Sequence, residues 1–261
     1  MKLFFFGEFG WYNLFIIPLL QRLQLDNQNI NFELVTFPDY KEIIELLFPS
    51  IRVKSIEFIS TNDRSQESNF YIDKIFLENG YYNLFDYLNT KFPRKPDENW
   101  APELKYPLII NDSLLGFRNK IGIFPRYRKD HWLNDKKFFT AEFWKKLINY
   151  LEKSGYEVVI FGNSKETLEL DETYKRVTGM TEAITYLNNI KCLISPDSGF
   201  CNLGVLSNCE NVIIISNDIV EMNYFINYKC TRTNIININN INNNIQPIID
   251  NFLFTNLNIK K

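Results

Sequence analysis

The chain has little of what the most easily read catalytic chemistry requires. It holds one histidine, His131, in the polar stretch RKDHW, so neither a Ser-His-Asp nor a Cys-His arrangement for nucleophilic catalysis is indicated. Its four cysteines, Cys192, Cys201, Cys209 and Cys230, form no CxxC pair and lie in or near apolar segments. They read as small buried thiols of a reducing compartment, which argues against a zinc site and against a disulfide framework and makes a cytoplasmic location the expectation. Charge of one sign is lacking as well: the net charge is −2, too little basic excess to hold nucleic acid non-specifically, although a local basic groove stays open. No apolar run is long enough to span a bilayer. The N-terminal stretch MKLFFFGEFGWYNLFIIPLLQRL is apolar, but Glu8 and two glycines interrupt it and no small-residue cleavage site follows, so it reads as strand, loop and helix rather than a signal peptide.

What is present is enough for a sizeable core. With 261 residues, 45% of them hydrophobic and 23% charged, the chain suits a globular protein of one large or two small domains. Aromatic residues reach 16%, which implies bulky core packing with some surface for stacking on sugars or bases; for any one ring, Trp132 and Trp144 included, core is the simpler reading.

The first half reads as β-α-β-α-β: strands over 2–6, 31–37 and 53–59, and helices over 11–25 and 40–48. The loop Gly7-Glu8-Phe9-Gly10 after the first strand opens a Rossmann-like unit, although its two glycines fall short of the GxGxxG spacing of a dinucleotide site. Residues 61–69 read as a polar loop, and the apolar stretches 71–77 and 82–88 have no decided type. Residues 93–107, PRKPDENWAPELKYP, carry four prolines and read as a linker, dividing the chain into domains 1–107 and 108–261.

A second alternating series follows, with strands over 120–124 and 157–161 around an amphipathic helix over 141–154, and a short helix over 181–187. Residues 191–216, KCLISPDSGFCNLGVLSNCENVIIIS, then give a buried strand, the tight turn Pro196-Asp197-Ser198-Gly199, a helix over 200–207 and another buried strand. In open parallel sheets ligands bind at such strand ends, where helix N-termini and backbone N–H groups converge. A carboxylate, a hydroxyl and a glycine in that turn suit a polar ligand carrying phosphate and hydroxyls. Beyond Asp218 the sequence is rich in Asn and Ile, a bias on which no function rests, with a last helix expected over 246–254.

The segments IGIFPR, FWKKLINYLEKSGYEVVIFGN, VTGMTEAITYLNNIKCLISPDSGFCNLGVL and NVIII, in this order and spacing, resemble the C-terminal domain of glycosyltransferases related to the lipopolysaccharide heptosyltransferase family. The resemblance covers roughly 120–216; the N-terminal half matches only in its strand-loop-helix pattern. It implies an α/β, GT-B-like architecture of two Rossmann-like domains facing across a cleft, with a nucleotide-diphosphate sugar held mainly by the C-terminal one. By position, Asp197, Ser198 and Gly199 would meet the donor's sugar and diphosphate, Arg126 and Arg128 would neutralise the diphosphate, Gly162 and Asn163 would lie beside the nucleotide, and Gly179, Met180 and Thr181 would flank base and ribose. Gly10 would complete the donor side from the N-terminal loop. Two departures stand out: Asn202 occupies the family's usual histidine position, and Trp11-Tyr12 the usual Gly-Asp before the first helix. Glu8 is the nearest acid and the candidate general base.

Glycosyl transfer needs a base for the acceptor hydroxyl and cationic or N–H donors for the leaving diphosphate. With no DxD motif and no His/carboxylate cluster, the expectation is inverting transfer without a metal or other cofactor, from a nucleotide sugar to a hydroxyl on a glycan, lipid-linked glycan, protein or modified nucleic acid. Plainer readings stand beside each candidate: Glu8 as a carboxylate favoured at a helix start, the arginines as surface cations, Asp197 as a turn former. Two other functions stay open on the same fold, a nucleotide-sugar epimerase or hydrolase, and a non-catalytic nucleotide- or glycan-binding protein.

Overall fold

The computed structural model describes residues 1–7, 12–26, 31–56, 66–93, 119–127, 139–162, 167–168, 170, 173–217 and 233–254. Their strands form two parallel sheets. The first contains β1 (Lys2–Phe4), β2 (Glu33–Thr36), β3 (Arg52–Ser55) and β4 (Tyr82–Asn83) in the order β3-β2-β1-β4. The second contains β5 (Lys120–Ile123), β6 (Glu157–Phe161), β7 (Lys175–Val177), β8 (Cys192–Pro196), β9 (Asn211–Ile215) and β10 (Asn234–Ile238) in the order β10-β9-β8-β5-β6-β7. Counted from its own first strand, the second sheet is wound 3-2-1-4-5-6 and the first 3-2-1-4, so both are doubly wound Rossmann-type sheets. The expected boundary at 107/108 falls outside the described residues.

The helices form where sequence signals are strongest. In the first half these are α1 (Ile17–Leu25), α2 (Pro38–Leu47), α3 (Gln66–Glu78) and α4 (Leu84–Lys91). In the second they are α5 (Ala141–Lys153), α6 (Met180–Leu187), α7 (Gly199–Leu206) and α8 (Gln246–Phe254). The helix expected over 11–25 is not uniform: a π-helical turn, Tyr12–Ile16, precedes α1. Pro18 explains it, because a proline in the first α turn has no N–H for the carbonyl four residues back and crowds it, and the wider turn relieves that crowding. Residues 66–69, expected in a loop, belong to α3.

The Thr140 side chain caps α5 by accepting from Phe143 N at 3.1 Å, and Phe139 packs edge-on against Trp144 at 6.1 Å between ring centroids. That is a hydrophobic staple across the helix start, and it makes Trp144, fully buried, a core residue. Gly155, at φ +86, ends the helix with backbone geometry that side chains resist.

Alternation on the second sheet separates its two faces. Ile121, Ile123, Val158, Ile160, Ile213 and Ile215 pack with Phe143, Trp144, Leu147, Ile148 and Leu151 of α5. Val159, Phe161, Val212 and Ile214 face the other way, into a buried cluster that takes in α6 and α7 and continues into Leu3, Phe4, Ile43 and Ile44 of the first half. The two halves meet where α2 lies against α6 and the π turn against α7. Each of these large apolar side chains contributes about 1.5–3 kcal/mol by leaving water. Gly122, central in β5, keeps that face closed: a Cβ there would lie 2.3 Å from the Phe161 ring and 2.8 Å from Ile190.

Two changes test this packing. Gly122→Ala is expected to lower the urea midpoint by an amount equivalent to about 1–3 kcal/mol, because the buried Phe161 ring has no room to yield. Half-buried Asp73 of α3 has its carboxyl pKa raised, by burial first and by Asp86 second. A raised folded-state pKa costs stability as pH rises, so Asp73→Asn is expected to raise the melting temperature at pH 7 and to lose that advantage below about pH 3.9, where the unfolded carboxyl is protonated too.

Candidate functional site

Between β5 and β8 the winding of the second sheet reverses, and the loops leaving these adjacent strands turn to opposite faces. The space over their carboxyl ends is framed by Phe124-Pro125-Arg126-Tyr127 after β5 and Asp197-Ser198-Gly199 after β8. One interaction ties the two loops: Arg126 Nη1 donates to the Asp197 carbonyl oxygen at 3.0 Å. Arg126 is half-buried, as is Asp197. Arg126 also forms an antiparallel bridge with Thr167, and Leu168 N donates to the Pro125 carbonyl at 3.0 Å, so the stretch after β6 folds back beside the stretch after β5.

Beneath this polar rim lies an aromatic floor. Phe124, just after β5, stacks on Phe200 of α7 at 4.3 Å, and Phe161, ending β6, sits 5.8 Å from the same ring. The floor excludes water from below and strengthens any electrostatic interaction above it. The Ser198 hydroxyl, buried, lies 2.9 Å from Ser195 Oγ, whose own hydroxyl donates to the Pro196 carbonyl at 2.7 Å; this leaves Ser198 as the donor in the pair. Ser198 therefore braces the turn and does not cap α7 with its side chain. Cys201 Sγ donates to the Pro196 carbonyl at 3.1 Å, and burial above all pushes its pKa up to about 11, which removes it from thiolate chemistry.

The structure gathers some of the expected residues and separates others. Arg126, Asp197, Ser198 and Gly199 converge at the reversal. Asn202 lies one turn into α7, 3% exposed, with its Oδ1 buried and without a hydrogen-bond partner among the described residues. Gly162 is buried, at φ +93, under the Phe124 ring and Thr167, so its glycine identity serves the turn. Gly179, Met180 and Thr181 form the start of α6 after β7, two strand spacings from β5, or about 10 Å. Gly179 has an ordinary φ of −79°, and a Cβ there would meet only Glu182 Cβ, at 4.0 Å. Neither backbone geometry nor packing demands glycine at this exposed helix start, where it leaves open space. Glu8, Gly10, Arg128 and Asn163 lie outside the described residues, as do His131, Trp132 and Cys230. Cys192 and Cys209 are buried free thiols, as expected. Among the described residues no group of three or more His, Cys, Asp or Glu side chains is placed to hold a metal ion, and no helix is long and apolar enough to cross a membrane.

Asn13 escaped the sequence reading. It is 1% exposed in the π turn, and its Nδ2 donates to the Gly199 carbonyl at 3.0 Å, bringing the N-terminal half onto the turn after β8. A polar residue in an otherwise apolar helical run, NLFIIPLL, was the available signal.

Two doubly wound parallel sheets, the first helix of one half meeting the strand reversal of the other, are the architecture of the GT-B glycosyltransferases, and the fold of this chain is that fold. Solved structures of that class align with most of it. The ADP-heptose lipopolysaccharide heptosyltransferase II of E. coli does so at 14% identity and a TM-score of 0.59, over 90% of each chain. The E. coli heptosyltransferase WaaC, solved with ADP, aligns at 10% identity and a TM-score of 0.58 over 97% of this chain and 99% of its own. A family 9 glycosyl transferase from Veillonella parvula aligns at 12% identity and a TM-score of 0.54, over 91% and 85%. The chain spans 57% of the length of the E. coli glycosyltransferase TibC, whose TM-score of 0.47 adds nothing to the argument. No protein-family model and no curated protein sequence matches the chain.

The contact between the halves is open to test. Asn13→Ala removes the donor to Gly199 and is expected to lower the free energy of unfolding in urea by about 1–2 kcal/mol. Asn13→Asp is expected to cost more at neutral pH, where a carboxylate faces a carbonyl and has nothing to donate, and less in acid, where the protonated form donates again.

Proposed function

We propose that the chain is a glycosyltransferase that moves a sugar from a nucleotide-diphosphate sugar to a hydroxyl acceptor, with inversion and without a metal. The observation that carries this reading is the Arg126 bridge to the Asp197 carbonyl, which holds a cation and a Gly-containing helix start over the strand reversal of the second sheet. Diphosphate placed there would meet the guanidinium and the first amides of α7, the two kinds of donor that stabilise a leaving phosphate. The open glycine at the start of α6, two strands away, would leave room for the nucleoside. That WaaC has been solved with ADP and with ADP-2-deoxy-2-fluoro heptose supports the donor class.

The base is assigned to Glu8, the nearest acid before the first helix in sequence. Glu8 precedes Asn13 by five residues in the sequence, and Asn13 is hydrogen-bonded to Gly199 of the turn that would carry the sugar. In an inverting step the carboxylate takes the proton of the acceptor hydroxyl as its oxygen attacks the anomeric carbon, while the bond to the diphosphate breaks on the far side of that carbon. The charge released onto the diphosphate is the charge that Arg126 and the α7 amides would meet.

Incubation with a panel of nucleotide sugars and cell-extract acceptors, followed by assay of nucleoside diphosphate release, checks the reading. One donor is expected to be turned over, with Glu8→Gln slowing transfer by about 10²–10⁴-fold. Failure of every donor to bind would sink the transferase reading; hydrolysis that Glu8→Gln leaves unchanged removes Glu8 from its role; binding without turnover favours a non-catalytic binding protein.

A further inference from the structure

Arg176, in β7, took no part in the sequence reading. Its Nη1 donates to the Gly162 carbonyl at 3.0 Å and to Thr167 Oγ1 at 2.6 Å. The guanidinium has no carboxylate partner among the described residues, which sets it apart from Lys175, Lys120 and Lys191, paired with Glu182, Glu157 and Glu210. It is half-buried, and burial alone lowers its pKa. A side chain with five N–H donors that uses one nitrogen, loses part of its hydration and meets no counter-ion among the described residues is costly to keep unless an anion arrives.

Its location says which anion. The hydroxyl it holds belongs to Thr167, and Thr167 is the residue bridged to Arg126, whose guanidinium reaches the Asp197 carbonyl. A chain of contacts therefore runs Arg176, Thr167, Arg126, Asp197, from β7, which precedes α6, to the turn after β8, and carries a cation on either side of Thr167.

We infer that Arg176 and Arg126 together form a two-guanidinium phosphate subsite astride Thr167, with Arg176 taking the phosphate nearer the nucleoside. This rests on the nucleotide-diphosphate sugar reading and deepens it. Arg176 then adds a cation to the arginines expected at the donor site, Arg126 and Arg128, and its fork of Nε and Nη2 is suited to two oxygens of one phosphate group. Such a subsite selects donors by charge: the diphosphate is bound far more tightly than the nucleoside.

The test is titration calorimetry of the whole chain with ADP, GDP and UDP, the three corresponding nucleosides, and inorganic pyrophosphate. For whichever diphosphate binds, Arg176→Met is expected to weaken binding at least tenfold and to flatten its salt dependence, with nucleoside binding unchanged and Arg176→Lys intermediate. Equal diphosphate affinity in Arg176→Met and the unaltered chain overturns the inference, and so does a parallel loss of nucleoside and diphosphate, which marks a purely structural latch on Gly162. Pyrophosphate binding that depends on Arg176, with no nucleotide bound, supports the anion subsite while removing the nucleotide reading. No binding of any probe overturns both. Should Arg176→Met fail to fold, phenylglyoxal modification of the unaltered chain decides: Arg176 is expected to be protected by the bound diphosphate or pyrophosphate, and equal labelling with and without it overturns the proposal.

Discussion

Where the winding of the six-stranded sheet reverses, between β5 and β8, the loops leaving two neighbouring strands turn away from each other, and no segment of the sheet itself can fill the space over their ends. The rest of the molecule answers to that constraint. The gap is floored with rings from Phe124, Phe161 and Phe200 and rimmed with backbone polar groups, and Arg126 holds the rim at its width by donating to Asp197. Such a site is rigid below and polar above. That combination favours a ligand with concentrated charge at one end, since each charge-assisted hydrogen bond gains strength over an apolar floor.

The two halves of the chain are joined at the same place. The apolar cluster on one face of the second sheet runs on into the core of the first, and the π turn forced by Pro18 presents Asn13 to the first residue of α7. The reversal of the second sheet and the π turn of the first half are thus in direct contact.

How far the sequence could be read depended on whether the deciding interactions were local. β5, β6, β8 and β9 were legible because they are short apolar runs between turn residues, buried on both faces. β7 was not, because its three residues, Lys175, Arg176 and Val177, are mostly charged and take strand form only by pairing with β6. β10 hid in an Asn-rich tract and is fixed by pairing with β9 along Asn211–Ile215. The turn after β8 was legible as Asp197-Ser198-Gly199 after an apolar strand. Asn13 and Arg176 were not, since Asn13 meets a partner 186 positions away and Arg176 gains its meaning only from the fold-back of Thr167 onto Arg126. The likeness of residues 120–216 to the heptosyltransferases pointed to the fold that the alignment of solved structures shows across nearly the whole chain.

The central claim is that the reversal between β5 and β8 is the donor site. Amide hydrogen exchange, followed with and without saturating nucleoside diphosphate, tests it most directly. Slowed exchange concentrated at residues 197–202 and at the start of α6, residues 179–181, is the predicted result. A bound nucleotide that leaves those amides unchanged and protects another part of the chain would contradict the account.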